Sequence, residues 1–321
     1  MRGLPTALAA AAILLSSAAC AAGYPVRPIR VILPVPAGGT PDVMVRLVTP
    51  AISAELGQQL VVDNRVGAGG LIGGEIAAHA TPDGYTLFMS SPGPLTIVPH
   101  LRKKIPYDAM RDFVPISLVS IGPFLLLAHP SVPVKSVKDL IALARSEPGK
   151  LNYGSAGTGS ANHLAMELFK GMAGIDIRHI PYKGGPQAVI DLLSGRINLM
   201  FNSIAPVLQH IRAGRLRVLG IGSLQRAPLL PDVPTIAESG VPGFEAVSWF
   251  GLVAPAKTPA AILKRLNRVV VEVMHRPEIR QRFETLGAIP VGSSSQEFGA
   301  LIRSESQKYG KLVQRLGLAV N

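Results

Sequence analysis

The sequence predicts an α/β fold, a mostly parallel sheet with helices on both faces. Three observations lead to it. Short apolar runs that suit buried strands alternate with amphipathic stretches of helical period at 29–56, 151–172, 177–193 and 197–212. The turns between them carry glycine and hydroxyl residues and fall where strands of such a sheet hand over to helices. Of the 321 residues, 48% are hydrophobic and 16% charged, which supplies a sizeable core and excludes a disordered chain. The length suits roughly two domains. The 28 prolines and 33 glycines follow no repeat and punctuate many short connections.

The chain opens on what reads as a secretory signal peptide, residues 1–22. Arg2 is a short positive region, 7–15 is apolar, and 16–23 is a run of small residues, too short for a membrane span. The single cysteine, Cys20, lies here. Ser17 stands where a lipoprotein site usually has an aliphatic residue, so plain cleavage is preferred to lipid anchoring at Cys20. The remaining chain then has neither a disulfide nor a thiolate nucleophile.

Residues 29–33 form the first predicted strand. Gly38 and Gly39 follow, allowing close approach to the backbone. Thr40 suits an N-cap and Pro41 a first helical residue, with Val43, Leu47, Val48, Ala51, Ile52 and Leu56 on the inward face. Pro50 should kink this helix. The exposed helix N-terminus favours an anion, although an ordinary strand-to-helix corner is the plain alternative. A strand is expected at 59–63, then the glycine run 67–74 and a helix at 75–80. Asp83-Gly84-Tyr85 is a turn before a strand at 86–90, which ends in Ser90-Ser91-Pro92; these serines suit ligand contact or capping. Residues 106–112 read as loop, 114–120 and 124–128 as two strands, and 136–145 as a helix.

The middle of the chain repeats one device. A strand end at 151–154 precedes Ser155-Ala156-Gly157-Thr158-Gly159-Ser160 and a helix at 161–172, with Leu164, Ala165, Leu168, Phe169 and Met172 inward. A strand at 177–181 precedes Tyr182-Lys183-Gly184-Gly185 and a helix at 187–193 ended by Gly195. A strand at 197–201, a turn at Asn202-Ser203, a helix at 205–212 and a strand at 216–222 complete it. Further on come a strand at 249–255 and helices from 258 to 274, at 277–286 and at 296–316.

Several chemistries are excluded. The glycine run reads G-x-G-x-x-x-G, follows the second strand and lacks the later acidic residue, so it is no dinucleotide fingerprint; no phosphate-binding loop is present either. The net charge of +12 raises nucleic acid, but the densest cationic cluster, Arg102-Lys103-Lys104, is short and no aromatic residues alternate with basic ones, so no nucleic-acid partner is expected. His163 and Glu167 stand four apart, yet without a third ligand they suit the hydrogen bonding of the neighbouring turn better than a metal. No metal, cofactor, carboxylate pair or serine–base pair is expected, and nothing makes a positive case for catalysis. What remains is three anion-friendly turns, at 38–40, 155–160 and 182–184, each ahead of a helix. Two of them facing across a cleft would hold the two ends of a dicarboxylate through N–H groups, hydroxyls and Lys183.

These residues resemble the substrate-binding receptors of tripartite tricarboxylate transporters, the Bug-type family. The marks are Pro36-Ala37-Gly38-Gly39 with Asp42, Asn64-Arg65 with Gly67-Ala68-Gly69-Gly70, Pro82-Asp83-Gly84-Tyr85-Thr86, Tyr107-Asp108 and Asp112-Phe113. Tyr153-Gly154-Ser155 with Gly157 and Gly159-Ser160, Pro181-Tyr182-Lys183-Gly184, Pro231-Asp232-Val233-Pro234-Thr235 with Glu238, and Trp249 with Gly251 continue the series. The resemblance implies a two-lobed type II periplasmic-binding fold, each lobe a mostly parallel sheet flanked by helices, with lobe one at 24–123 plus 225–321 and lobe two at 124–224. It also implies a periplasmic monomer that binds a small carboxylate or related polar ligand, without chemistry, for a membrane permease or a sensor kinase. An exported enzyme acting on a small acid is the rival. The family's contacts fall on Ala37, Gly38, Gly39 and Asp42 from one lobe. From the other come Ser155, Thr158, Gly159, Ser160, His163, Tyr182, Lys183 and Gly184, with Ser90 and Asn202 as looser candidates. The chain departs from the family pattern at Thr40-Pro41 and at Pro50.

Overall fold

The structure is a computed structural model and describes residues 23–318. The signal peptide, its cleavage site and Cys20 lie outside the described residues. Ten strands form one mixed sheet in the order β2-β1-β3-β9-β4-β7-β5-β6, with β8 and β10 also paired to β4. On one side lie β1 (Ile29–Leu33), β2 (Leu60–Asn64) and β3 (Thr86–Ser90), mutually parallel through β1. On the other lie β5 (Asn152–Ser155), β6 (Arg178–Pro181) and β7 (Leu199–Ser203), parallel through β5. Between them run β4 (Phe113–Ala128) and β9 (Val247–Pro255), antiparallel to each other, while β8 (Arg217–Ile221) and the short β10 (Ile289–Pro290) add to β4.

Helices cover both faces, as strands apolar on both sides require. Val31, Leu33, Leu87 and Met89 face α1 (Thr40–Leu56), α8 (Ala260–Met274) and α9 (Pro277–Thr285). Ile32, Phe88 and Trp249 alternate with them and face α2 (Leu71–Ala78) and α10 (Ser295–Leu316). In the second lobe Tyr153 and Phe201 pack against α4 (Val137–Ser146) and α5 (Ala161–Ala173). Leu125, Leu127 and Met200 pack against α6 (Gly185–Leu193) and α7 (Leu208–Arg212). A fifth cluster joins the lobes: Ile97 and Leu101 of the first touch Leu164 of α5 and Tyr309, Leu312 and Val313 of α10.

The structure corrects the sequence reading at several points. The two strands expected at 114–120 and 124–128 are one strand, β4, because Ile121, Gly122 and Pro123 keep their pairing with Trp249, Ser248 and Val247. Asn202 and Ser203 belong to β7, opposite Leu125 and Phe124, rather than to a turn. The N-cap of α1 is Gly39, so Thr40 is already helical. That helix is continuous through Pro50, which is exposed; the Arg46 carbonyl that Pro50 cannot serve accepts the Thr49 hydroxyl at 3.4 Å. Val43 faces solvent, and Met44 and Val45 take its place inward. The glycine run enters α2 at Leu71, four residues before the expected start. Met172 is exposed while Met166 is buried, and of 205–212 only the segment from Leu208 is helical. A π-helical turn, Gly93–Ile97, and α3 (Val98–Leu101) occupy a stretch for which the sequence reading named no element.

Candidate ligand-binding cleft

Strand register locates the cleft. Ser90, at the carboxyl end of β3, lies beside Gly251 of β9, and Gly251 beside Leu118 of β4. Asn202, near the carboxyl end of β7, lies beside Leu125 of β4. The carboxyl edges of the two lobes therefore face each other across the stretch of β4 from Leu118 to Leu125, which spans ~23 Å if extended. The turns after β1 and β3 leave one edge, and those after β5 and β6 leave the other.

In lobe one, Ala37 and Gly38 are exposed, and Gly38 has φ +79°, a conformation that favours glycine. Asp42 does not project into open space. It is buried, and its carboxylate accepts the Gly38 N–H at 2.9 Å, the Asn64 amide at 3.0 Å and the Arg46 Nε–H at 3.0 Å. Asn64 also donates to the Val35 carbonyl. Burial raises the Asp42 pKa, but the bonds from Arg46, Gly38 and Asn64 outweigh it and hold the carboxyl below its usual range. The Gly38 N–H is thus already engaged, and Asp42 sets the shape of the corner. Ser90 is buried at the end of β3, and neither its Oγ nor the indole N–H of Trp249, two positions before Gly251 on β9, has a hydrogen-bond partner among the described residues.

In lobe two the 155–160 turn rests on a buried polar network. Ser155 Oγ lies 2.6 Å from His179 Nε2 and accepts the Gly157 N–H at 3.1 Å. His163 Nδ1 accepts the Gly159 N–H at 3.2 Å. The two imidazoles stack with centroids 4.1 Å apart, and His179 stacks on Tyr153 at 4.8 Å. The Tyr153 hydroxyl donates to Glu167 at 2.6 Å, and Lys170 pairs with the same carboxylate oxygen at 2.7 Å. Burial, then the neighbouring His179 and Lys170, depress His163 to about 3; burial, opposed by the Glu167 carboxylate and helped by Lys170, depresses His179 to about 4. Both rings are therefore neutral at pH 7. The Ser155–His179 pair was missed in the sequence because 24 residues separate the two. It is no nucleophile–base pair in working order: Ser155 is fully buried and its oxygen is occupied by the turn.

Ser160 also works inward, its hydroxyl facing Gly157 O at 2.5 Å and Asn162 Oδ1 at 2.7 Å. Thr158 is exposed, and Gly159 is buried at φ +83°. The 182–184 corner adjoins this turn, with the Tyr182 N–H donating to Ser155 O at 3.1 Å. The Tyr182 hydroxyl is spent on Asp191 at 2.8 Å, whereas Lys183 is exposed and Gly184 caps α6. Asn202 Oδ1 accepts the Ser203 N–H. The sequence reading also missed α3. A cavity of about 140 Å³ is lined by Val98, Leu101, Arg102 and Thr158, and a side chain at Gly159 would stand 2.7 Å from Leu101. The larger depression, about 500 Å³ between Arg145, Glu167, Lys170 and Asp176, lies toward the other end of α5 from the turn and is not the cleft. Among the described residues no group of three or more histidine, cysteine or acidic side chains could hold a metal, and no helix is long and apolar enough to cross a membrane.

Two lobes of parallel strands, joined by antiparallel crossing strands and facing each other with their carboxyl edges, define a solute receptor of the periplasmic binding-protein fold. The profile described as "Tripartite tricarboxylate transporter family receptor" matches residues 44–318, and the chain belongs to that family. BugT of Bordetella pertussis is 40% identical over 295 residues, covering 92% of this chain and 90% of BugT. Among solved structures, Rpa4515 of R. palustris with adipate shares 36% identity at TM-score 0.87, covering 92% of this chain and 99% of that one. MatC of Rhodopseudomonas palustris with bound malate shares 32% at TM-score 0.83, covering 90% and 100%. The family is one of binding receptors, not enzymes, and the chain is a solute receptor of the tripartite tricarboxylate transporter type.

Proposed function

We propose that this receptor captures a small dicarboxylate between its lobes, one acid group at each carboxyl edge, and delivers it to a membrane permease from the periplasm. The carrying observation is the register that sets Ser90 and Asn202 on opposite sides of one stretch of β4, with a glycine turn beside each. The relatives bound to adipate and malate support the ligand class. The lobes divide at 123/124 and 224/225. In lobe one, Ala37 and Gly39 offer backbone and Ser90 its unpartnered hydroxyl, while Gly38, its N–H held by Asp42, shapes the corner. In lobe two, Thr158, Lys183, Gly184 and Asn202 reach the ligand, while buried Gly159 gives its N–H to His163 and holds the turn. Asp42, Ser155, Ser160, His163 and Tyr182 act through the shape of their turns, since their polar atoms are already engaged there. Calorimetry on ligand-stripped protein with adipate, malate and aromatic acids tests the reading. Saturable binding of a dicarboxylate is expected; no heat and no thermal shift with any acid would overturn it.

A further inference from the structure

We propose that His163 and His179, while uncharged, are the positioning residues that hold the 155–160 turn in its capturing shape, so that protonating the pair opens the turn. The inference rests on the proposed role of that turn in carboxylate binding, but its mechanics stand apart from any ligand. Each imidazole presents one nitrogen to the turn. His163 Nδ1 takes the Gly159 N–H at 3.2 Å, and His179 Nε2 lies 2.6 Å from the Ser155 hydroxyl, which also reaches Gly157 O at 3.2 Å. Those two bonds grip the turn at its start and just before its end. A proton on His163 Nδ1 removes the acceptor and sets N–H against N–H, while a proton on His179 Nε2 turns the Ser155 hydroxyl round to accept and sends its proton to Gly157 O at 3.2 Å.

The surroundings make the pair responsive. The rings are 4.1 Å apart and nearly parallel, so two positive charges cannot share the stack at low cost. The groups that face the pair are Tyr153 of β5, which stacks on His179, and Glu167 and Lys170 of α5. The Glu167 carboxylate favours a proton on His179, but burial and the Lys170 ammonium, which pairs with the same Glu167 oxygen as the Tyr153 hydroxyl, outweigh it. From α10, Tyr309 reaches the same end of α5 through Leu164 and brings no charge of its own. The first proton to enter is therefore poorly compensated, and the least costly response is for the turn to let go. Desolvation keeps both rings neutral until the medium is distinctly acidic.

The test uses the full secreted chain without ligand. Amide-exchange protection of Gly157 and Gly159 and the imidazole resonances are followed by NMR from pH 7 to 2, with far-UV circular dichroism reporting the fold. Protection at Gly159 is expected to fall about tenfold, the loss of roughly one hydrogen bond, in step with imidazole titration and before the dichroism changes. The double variant His163→Asn with His179→Gln keeps an acceptor oxygen at each place and cannot be protonated there, so its Gly159 protection should stay level over the same range. Either imidazole titrating near pH 6.5 with the Gly159 amide unmoved would overturn the proposal. So would the double variant showing the same acid response as the native chain. Should the variant not fold, the native titration alone decides. A failure here leaves carboxylate binding standing, and an unresponsive ligand panel leaves this result standing.

Discussion

Replacing Asp42 by asparagine is expected to cost far more than its near-isosteric shape suggests. One carboxylate oxygen accepts the Gly38 N–H and the other accepts the Asn64 amide, both at 3.0 Å or less. An asparagine has one acceptor oxygen and one donor NH₂. In either flip the NH₂ meets a donor, so one bond is lost and a donor is left unpaired in a site only 3% exposed. Losing a charge-assisted bond costs about 1.5–3 kcal/mol, and stranding the donor places the total at the upper end of that range, ~3 kcal/mol. Arg46 offers the contrast: its side chain is 49% exposed, so Arg46→Ala lets Asp42 keep two partners and should cost ~1 kcal/mol or less. Urea unfolding of both variants beside the parent, with calorimetry of a bound dicarboxylate, measures the difference. Asp42→Asn should also weaken binding about tenfold, because the Gly38 corner loses the bond that sets its shape. If Asp42→Asn unfolds at the parent's midpoint, or Arg46→Ala proves the more damaging, the account of this corner is wrong.

Stability should also fall with acid well before the carboxylates titrate. Both histidines have folded pKa values depressed below the ordinary 6.5, to about 3 and about 4, so below pH 6.5 the unfolded chain binds more protons than the folded one. Their contribution is complete above that value and declines as pH falls toward 4 and 3, by at most about 2 kcal/mol by pH 5 for buried His163 and by less for the partly exposed His179. A thermal midpoint that stays flat between pH 6.5 and 4.5 would contradict this. Lys183→Ala, at an exposed position, should reduce dicarboxylate affinity without moving the thermal midpoint, and the native affinity should weaken with added salt. Unchanged affinity would remove Lys183 from the site. Gly251→Ala would set a methyl 2.1 Å from the Phe298 ring in the floor between the lobes, and a loss of about 1–3 kcal/mol in chemical denaturation is expected. A neutral result would show that α10 yields there.

Much of the fold could be read directly. The strands at 29–33 and 86–90 were placed to the residue, because a short, nearly continuous apolar run bounded by glycine or proline admits few placements. The helices at 161–173 and 260–274 followed from period and caps. The readings that failed did so where a partner distant in sequence overrides a local signal. Gly122-Pro123 looks like a break, but pairing with Val247 and Ser248 carries the strand across it. The 93–101 stretch has no clean period, because its buried residues face several neighbours at once: Tyr107, Gly69, α10 and the 155–160 turn.

By itself, the sequence determined the layered α/β class, the glycine corners and, through their order and spacing, the receptor family. Those features are local: they depend on periodicity, on the missing Cβ of glycine and on short-range caps. What tertiary structure alone decided is which polar atoms at those corners remain available. Asp42, Ser160 and Tyr182 look like ligand contacts in a linear reading, yet Gly38, Gly157 and Asp191 engage them. His179, unremarked in the sequence, proves to brace Ser155. A polar group has few hydrogen-bonding positions, and whether a neighbour fills them depends on contacts between residues far apart in the chain.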